Sequence, residues 1–229
     1  VHIAAIRDIT ERKRTEETMR YLTFHDALTG LYNRAFFEEE LRRLDGGRDY
    51  PVTVVAVDID GLKLVNDTLG HQKGDELLQA VAGVLASSFR SSDVVARVGG
   101  DEFTALLPRT DSRVGEELYR RLGDQVEAYN CQHPEVPLSL SIGTATATGP
   151  AQPLTSVLQR ADAEMYRDKL HHGPSGTHGI VRALLTALAT KDHVAEGHVE
   201  RVKEMAEQLG KACQLSPREL AVLELLAEV

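Results

Sequence analysis

The chain has 229 residues, 42% apolar and 27% charged, enough to bury a substantial core without disulfides or a structural metal. Its net charge of −9 excludes a chain-wide basic face, so no nucleic-acid partner is expected, while a nucleotide site remains open to it, since a metal ion brings phosphates and carboxylates together. Cys131 and Cys213 share no CxxC spacing and read as free thiols of a reducing compartment, and no apolar run approaches the ~18 residues of a membrane span, so this stretch is expected in the cytoplasm and off the membrane.

Residues 1–9 read as a short apolar strand closing an upstream unit. Residues 10–21 are charged and lack Gly and Pro, and Thr10 is a cap for a helix there, either a solvated linker or a stalk that transmits a signal. A helix is predicted over 34–44, with Phe36, Phe37, Leu41 and Leu44 at core spacing. The β-branched run 52–59 predicts a strand buried on both faces. An amphipathic helix over 74–89 carries Leu77, Leu78, Val81, Val84 and Leu85 on one stripe. Strands over 94–96 and 102–107 flank Gly99-Gly100 as a hairpin, followed by a helix over 114–129, a strand over 138–145 and a helix over 154–170. Alternating strands and helices of this kind predict an α/β fold, one sheet with covering helices. The Gly/Pro/His-rich stretch 171–179 predicts a break and a domain boundary, beyond which helices are expected over 180–189, 198–213 and 217–229.

Chemistry concentrates at two places. Asp58 and Asp60 stand at the C-terminal end of the buried strand, where carboxylates are costly unless they leave the core or meet a cation and where α/β sheets usually bind ligands. Gly99-Gly100-Asp101-Glu102, between Arg97 and Phe103, puts two acidic side chains just after glycines that let a backbone approach a ligand. Strand alternation points Asp101 and Glu102 to opposite faces. A hairpin tip of this kind beside a second strand end is a way to hold a hard divalent cation between oxygens.

The run Arg97 to Phe103 resembles the signature of the GGDEF family, the diguanylate cyclases, whose other motifs follow in order over residues 26 to about 170. Asp26-Ala27-Leu28-Thr29 with Asn33-Arg34 resembles the opening DxLT…NR, and residues 58–67 resemble DxDxFKxxND with Leu62 in place of Phe. Residues 70–75 resemble GHxxGD, and residues 161–166 the late ADxxMY. The resemblance implies a palm-like, mainly antiparallel sheet covered by helices. It also implies a domain over 26–172 that condenses two GTP into cyclic di-GMP on two Mg2+ (or Mn2+) ions per site. By this resemblance Asp58, the Ile59 carbonyl and Asp101 hold the metal, while Asp101 takes the 3′-hydroxyl proton and Glu102 supports the site. Asn66 and Asp75 read guanine, Lys63 and Lys169 contact phosphate, and Gly99 and Gly100 line the substrate. The two half-reactions imply a homodimer, each protomer's 3′-hydroxyl attacking its partner's α-phosphate. Arg90-Ser91-Ser92-Asp93 resembles the family's RxxD product-inhibition site.

One departure stands out: after Lys169 the family shows a GRN-like stretch, whereas residues 170–175 here read LHHGPS, with no arginine. It supports a second expectation, a regulatory module that binds GTP with little turnover and controls an attached phosphodiesterase. Residues 6–13 resemble the exit of a PAS sensor, so residues 1–25 are expected to be a sensor end and signalling helix. Lys191-Asp192-His193 and residues 197–202, including His198, resemble the opening of an HD-GYP phosphodiesterase, so 180–229 is expected to be its all-helical N-terminal fragment.

Overall fold

The computed structural model describes residues 21–191. After a helical stretch over 21–24, the order is β1 (Tyr32–Asn33), α1 (Arg34–Leu44), β2 (Val52–Ile59), α2 (Leu62–Leu69), α3 (His71–Ser88), β3 (Val94–Arg97), β4 (Glu102–Pro108), α4 (Ser112–Gln132), β5 (Leu140–Ala147) and α5 (Leu154–Lys191). The five strands form one sheet in the order β1-β3-β4-β2-β5, antiparallel except for the β1–β3 pair. This is the mixed α/β architecture the residues predict.

The sheet has a core on each face, and strand alternation divides them. Val55, Val57, Ile59, Phe103, Ala105 and Leu107 pack with the buried stripes of α3 and α4 and with Leu62 and Val65 of α2. Val52, Val54, Ala56 and Leu106 pack with Phe37, Leu41 and Leu44 of α1 and with Leu154, Val157 and Ala161 of α5. All eight residues of β2 are buried, as expected of a strand covered on both sides. Helix and sheet approach closely at Gly143, where an added Cβ would lie 2.1 Å from the Ala161 carbonyl oxygen and 2.2 Å from the Met165 amide nitrogen, so α5 rests on β5 backbone to backbone.

Local side-chain chemistry sets several ends. Asn33 caps α1, its side-chain oxygen accepting from the Phe36 N–H at 3.0 Å, and its amide donates to the Thr23 carbonyl at 3.0 Å, tying the incoming helical stretch to the domain. β5 begins at Leu140 rather than at 138, because the Asn130 side chain takes both main-chain groups of Leu138, at 2.6 and 2.9 Å. The larger correction concerns residues 171–179. Instead of a break and a separate helix over 180–189, α5 runs 38 residues to Lys191. Pro174 forfeits one i→i−4 hydrogen bond, but a helix already formed ahead of it propagates at one bond per residue.

Most of the expected helix over 10–21, and the helices expected over 198–213 and 217–229, lie outside the described residues. Among the described residues no helix is long and apolar enough to cross a membrane, and Cys131 is an exposed free thiol.

Candidate active site

The C-terminal end of β2 meets the tip of the β3–β4 hairpin. Asp58 lies opposite Glu102 in the β2–β4 register, and the Ile59 N–H donates to the Asp101 carbonyl at 3.2 Å, so the two segments carrying the expected carboxylates are stitched together by their backbones. From α5, Lys169 Nζ donates to Asp58 Oδ1 at 2.5 Å, across 111 residues of sequence. Burial pushes the Asp58 carboxyl above the usual carboxylate range. Lys169 opposes that rise, while the charges of Asp101 and Asp60 add to it. Burial alone would lower the Lys169 ammonium, yet Asp58, Asp101 and Asp60 together hold it above the ordinary lysine value. Lys169 thus pairs with Asp58 while also feeling the charges of Asp101 and Asp60.

The carboxylates differ in their partners. Asp60 is buried, and its two oxygens accept from the Ser139 and Ser141 hydroxyls, each at 2.7 Å, with its N–H on the Ser139 carbonyl at 3.0 Å. It fastens the end of β2 to β5. Asp58 and Glu102, directly opposite in an antiparallel pair, share a sheet face. Glu102 is exposed and folds back over the turn, so that a Cβ on Gly99 would lie 2.5 Å from its Oε2. It borders a cavity of about 440 Å³ between α1 and α5, rimmed by Arg34, Glu38, Asp162 and Tyr166. Burial and the Glu102 charge both raise the Asp162 carboxyl there.

Among the described residues no three His, Cys, Asp or Glu side chains converge as an ion cage. The backbone bond from Ile59 brings Asp101 to the end of β2, and its charge acts on Asp58; two carboxylates and a carbonyl are donors that suit magnesium, which takes one or two carboxylates and fills its octahedron with phosphate oxygens and water.

Asn66, near the end of α2, lies against the first turn of α3, where a Cβ on Gly74 would sit 2.0 Å from Asn66 Oδ1. The missing side chain there gives Asn66 room against the helix turn just ahead of Asp75. Asp75 and Lys63 are exposed. Gln79 of α3 donates to the Leu28 carbonyl at 3.3 Å and closes the neighbouring wall.

Arg90 and Asp93 belong elsewhere, at the far end of β3 from Gly99. Asp93 Oδ2 accepts the Arg90 N–H at 2.8 Å and the Asp93 N–H donates to the Arg90 carbonyl at 3.0 Å, which closes the turn and leaves the Arg90 side chain exposed.

Roles that motif reading alone did not supply belong to Asp26 and Arg97. Arg97 Nη1 donates to Asp26 Oδ1 at 3.2 Å and Nη2 to the Gly100 carbonyl at 2.8 Å, so the opening motif braces the signature turn. Asp26 is itself set by Thr29, whose N–H and hydroxyl donate to it at 2.9 and 2.6 Å, an aspartate turn legible in the Asp-x-x-Thr spacing.

The family model described as diguanylate cyclase, GGDEF domain, matches residues 23–174. The chain is 36% identical over 173 residues to diguanylate cyclase DgcM of Escherichia coli (strain K12), which covers 73% of this chain and 41% of that protein. It is 37% identical over 160 residues to diguanylate cyclase DgcP of Pseudomonas aeruginosa, covering 67% of this chain and 23% of that one. The chain therefore spans less than half the length of either relative. The solved structure of the coiled coil and GGDEF domain of DgcB from Caulobacter crescentus, in complex with c-di-GMP, has the same fold, with a TM-score of 0.61 and 29% identity over 70% of this chain and 88% of that one.

Proposed function

The chain belongs to the GGDEF family of diguanylate cyclases, and we propose that it condenses two GTP into cyclic di-GMP with release of two pyrophosphates. The observation that carries this reading is the meeting of Asp58, Asp101 and Lys169 at one strand end, where a single ammonium faces a cluster of carboxylates. The names of the relatives and the cyclic di-GMP bound by the DgcB structure support the same reaction.

In this reading Asp58, the Ile59 carbonyl and Asp101 hold two Mg2+ (or Mn2+) ions. When bound, such ions neutralise the triphosphate and stabilise both oxygens of an in-line displacement. The protein's own residues do the rest. Lys169 and Lys63 bind phosphate oxygens as point charges. Asp75 accepts from the guanine N–H groups while Asn66 both donates and accepts. Gly99 and Gly100 let the backbone approach the nucleotide, and Arg97 keeps their turn in place through Gly100. Asp101 accepts the proton of the 3′-hydroxyl, and Glu102, on the Asp58 face, supports the cluster.

Each site takes one GTP, so two protomers meet face to face and each 3′-hydroxyl attacks the α-phosphorus of the partner's nucleotide, expelling pyrophosphate. Arg90 and Asp93 form the product-inhibition site, with the exposed guanidinium suited to phosphate and to a guanine edge. GTP as substrate places the reaction in the cytoplasm. On the same footing, residues 1–25 are proposed as a sensor end with its signalling helix, 26–172 as the cyclase domain, and 180–229 as the opening of an HD-GYP-like domain.

The test is to strip bound cyclic dinucleotide from the purified chain, add GTP and magnesium, and separate the nucleotides by chromatography. Formation of cyclic di-GMP and pyrophosphate supports the proposal. Calorimetric GTP binding with no product would overturn it in favour of the regulatory module that the missing arginine after Lys169 first raised.

A further inference from the structure

We propose that Asp168 is a positioning residue for Lys169, clamping α5 to the outer strand so that the lysine reaches the phosphate site. The proposal rests on the assignment of Lys169 to phosphate binding.

A carboxylate next to a phosphate-binding lysine is at first sight misplaced, since it would repel the substrate. The structure turns it elsewhere. β5 is the outer strand next to β2, and Asp168 Oδ2 accepts the Ile142 N–H of that strand at 2.9 Å, replacing the partner that a further strand would supply. Asp168 Oδ1 accepts the Tyr119 hydroxyl of α4 at 3.2 Å. One carboxylate therefore joins α4, β5 and α5. Burial and the Asp168 charge both raise the Tyr119 hydroxyl above its ordinary value, which keeps it a donor.

Successive helix residues diverge by about 100°. While Asp168 is fixed to Ile142, Lys169 projects toward β2 and Asp58. One residue along β5, Gly143 admits the α5 backbone at Ala161 and Met165. This part of α5 is thus keyed to β5 at two points, immediately ahead of the lysine. A lysine side chain is long and flexible, so the depth of its backbone decides whether the ammonium arrives. Misplacement by about 1 Å at a site of this kind costs on the order of 100-fold.

The experiment measures binding of 3′-deoxy-GTP with magnesium by calorimetry, alongside kcat and KM for GTP, in the full chain and in Asp168→Ala, Asp168→Asn, Lys169→Ala and the Asp168→Ala/Lys169→Ala double variant. Asp168→Ala is expected to weaken nucleotide binding and raise KM about tenfold or more. Asp168→Asn, whose amide oxygen still accepts from Ile142, is expected to stay within about threefold of wild type. In the Lys169→Ala background, removing Asp168 should add less than about twofold, because both changes act through the same ammonium. Equal losses in the two backgrounds, or a lower melting temperature with unchanged binding, would overturn the positioning role. If Lys169→Ala weakens binding and Asp168→Ala does not, this inference alone falls. If Lys169→Ala leaves binding unchanged, the phosphate assignment falls and takes this inference with it.

Discussion

Arg97 reaches back 71 residues to Asp26, its Nη1 3.2 Å from the carboxylate, while its Nη2 holds the Gly100 carbonyl at 2.8 Å. Burial would raise the Asp26 carboxyl, but the Thr29 hydroxyl and amide and then Arg97 hold it below the usual range. A carboxylate lowered in the fold stabilises above its ordinary pKa and ceases to do so as pH falls through its lowered one. The stability advantage of wild type over Asp26→Asn, measured by urea denaturation, is therefore expected to be widest near neutrality and to shrink in acid. An advantage independent of pH would contradict this account of the brace.

Asn66 lies against Gly74, the residue before Asp75, where α2 ends and α3 begins. Hydrogen bonds to a charged group are worth about 1.5–3 kcal/mol, and tenfold in an equilibrium is about 1.4 kcal/mol, so Asp75→Ala should lower kcat/KM for GTP by ~10–100-fold. Activity with ATP should be little changed, so discrimination between the two nucleotides narrows. Steady-state rates with both substrates check this, and a loss of equal size for both would count against base reading.

Asp93 closes its turn through both main-chain groups of Arg90 and leaves the guanidinium exposed. Arg90→Ala is expected to leave the initial rate near wild type and to weaken inhibition by added cyclic di-GMP about tenfold or more, since charge-assisted bidentate bonds are lost. Progress curves with and without added product read this directly, and unchanged inhibition would remove the feedback assignment.

Gly143→Ala would drive a methyl group to within 2.1 Å of the Ala161 carbonyl oxygen. Backbone cannot swing aside as a flexible side chain does, so a loss of about 1–3 kcal/mol or more is expected in thermal or denaturant unfolding. Stability equal to wild type would mean that α5 does not rest on β5 as described.

Much of this was legible in the residues. The eight-residue run of β2 reads as a strand covered on both faces, and α1 was bounded by its apolar spacing, because burial leaves a periodic record. The meeting of the Asp58 strand end with the signature turn was foreshadowed, because a carboxylate at the end of a buried strand is costly unless it leaves the core or meets a cation. What escaped was pairwise and non-local. Nothing in the order of residues says that Asp60 is spoken for by Ser139, just ahead of β5, and Ser141 within it, or that Asp168 caps the Ile142 amide. α2 is short and follows Gly61 at φ 71°, and β1 has two residues, too few for either to show a period. At 171–179 local breakers pointed to a loop, and an established helix overrode them.

The central claim, that Asp58 and Asp101 converge to bind divalent ions beneath a triphosphate, is tested most directly by Asp101→Ala. The measurement is the rate of cyclic di-GMP formation at saturating GTP and magnesium, with circular dichroism as the check on folding. The account predicts a folded protein whose rate falls by three orders of magnitude or more, on the order of 4 kcal/mol or more in the barrier. A folded variant that makes cyclic di-GMP at the wild-type rate would contradict it.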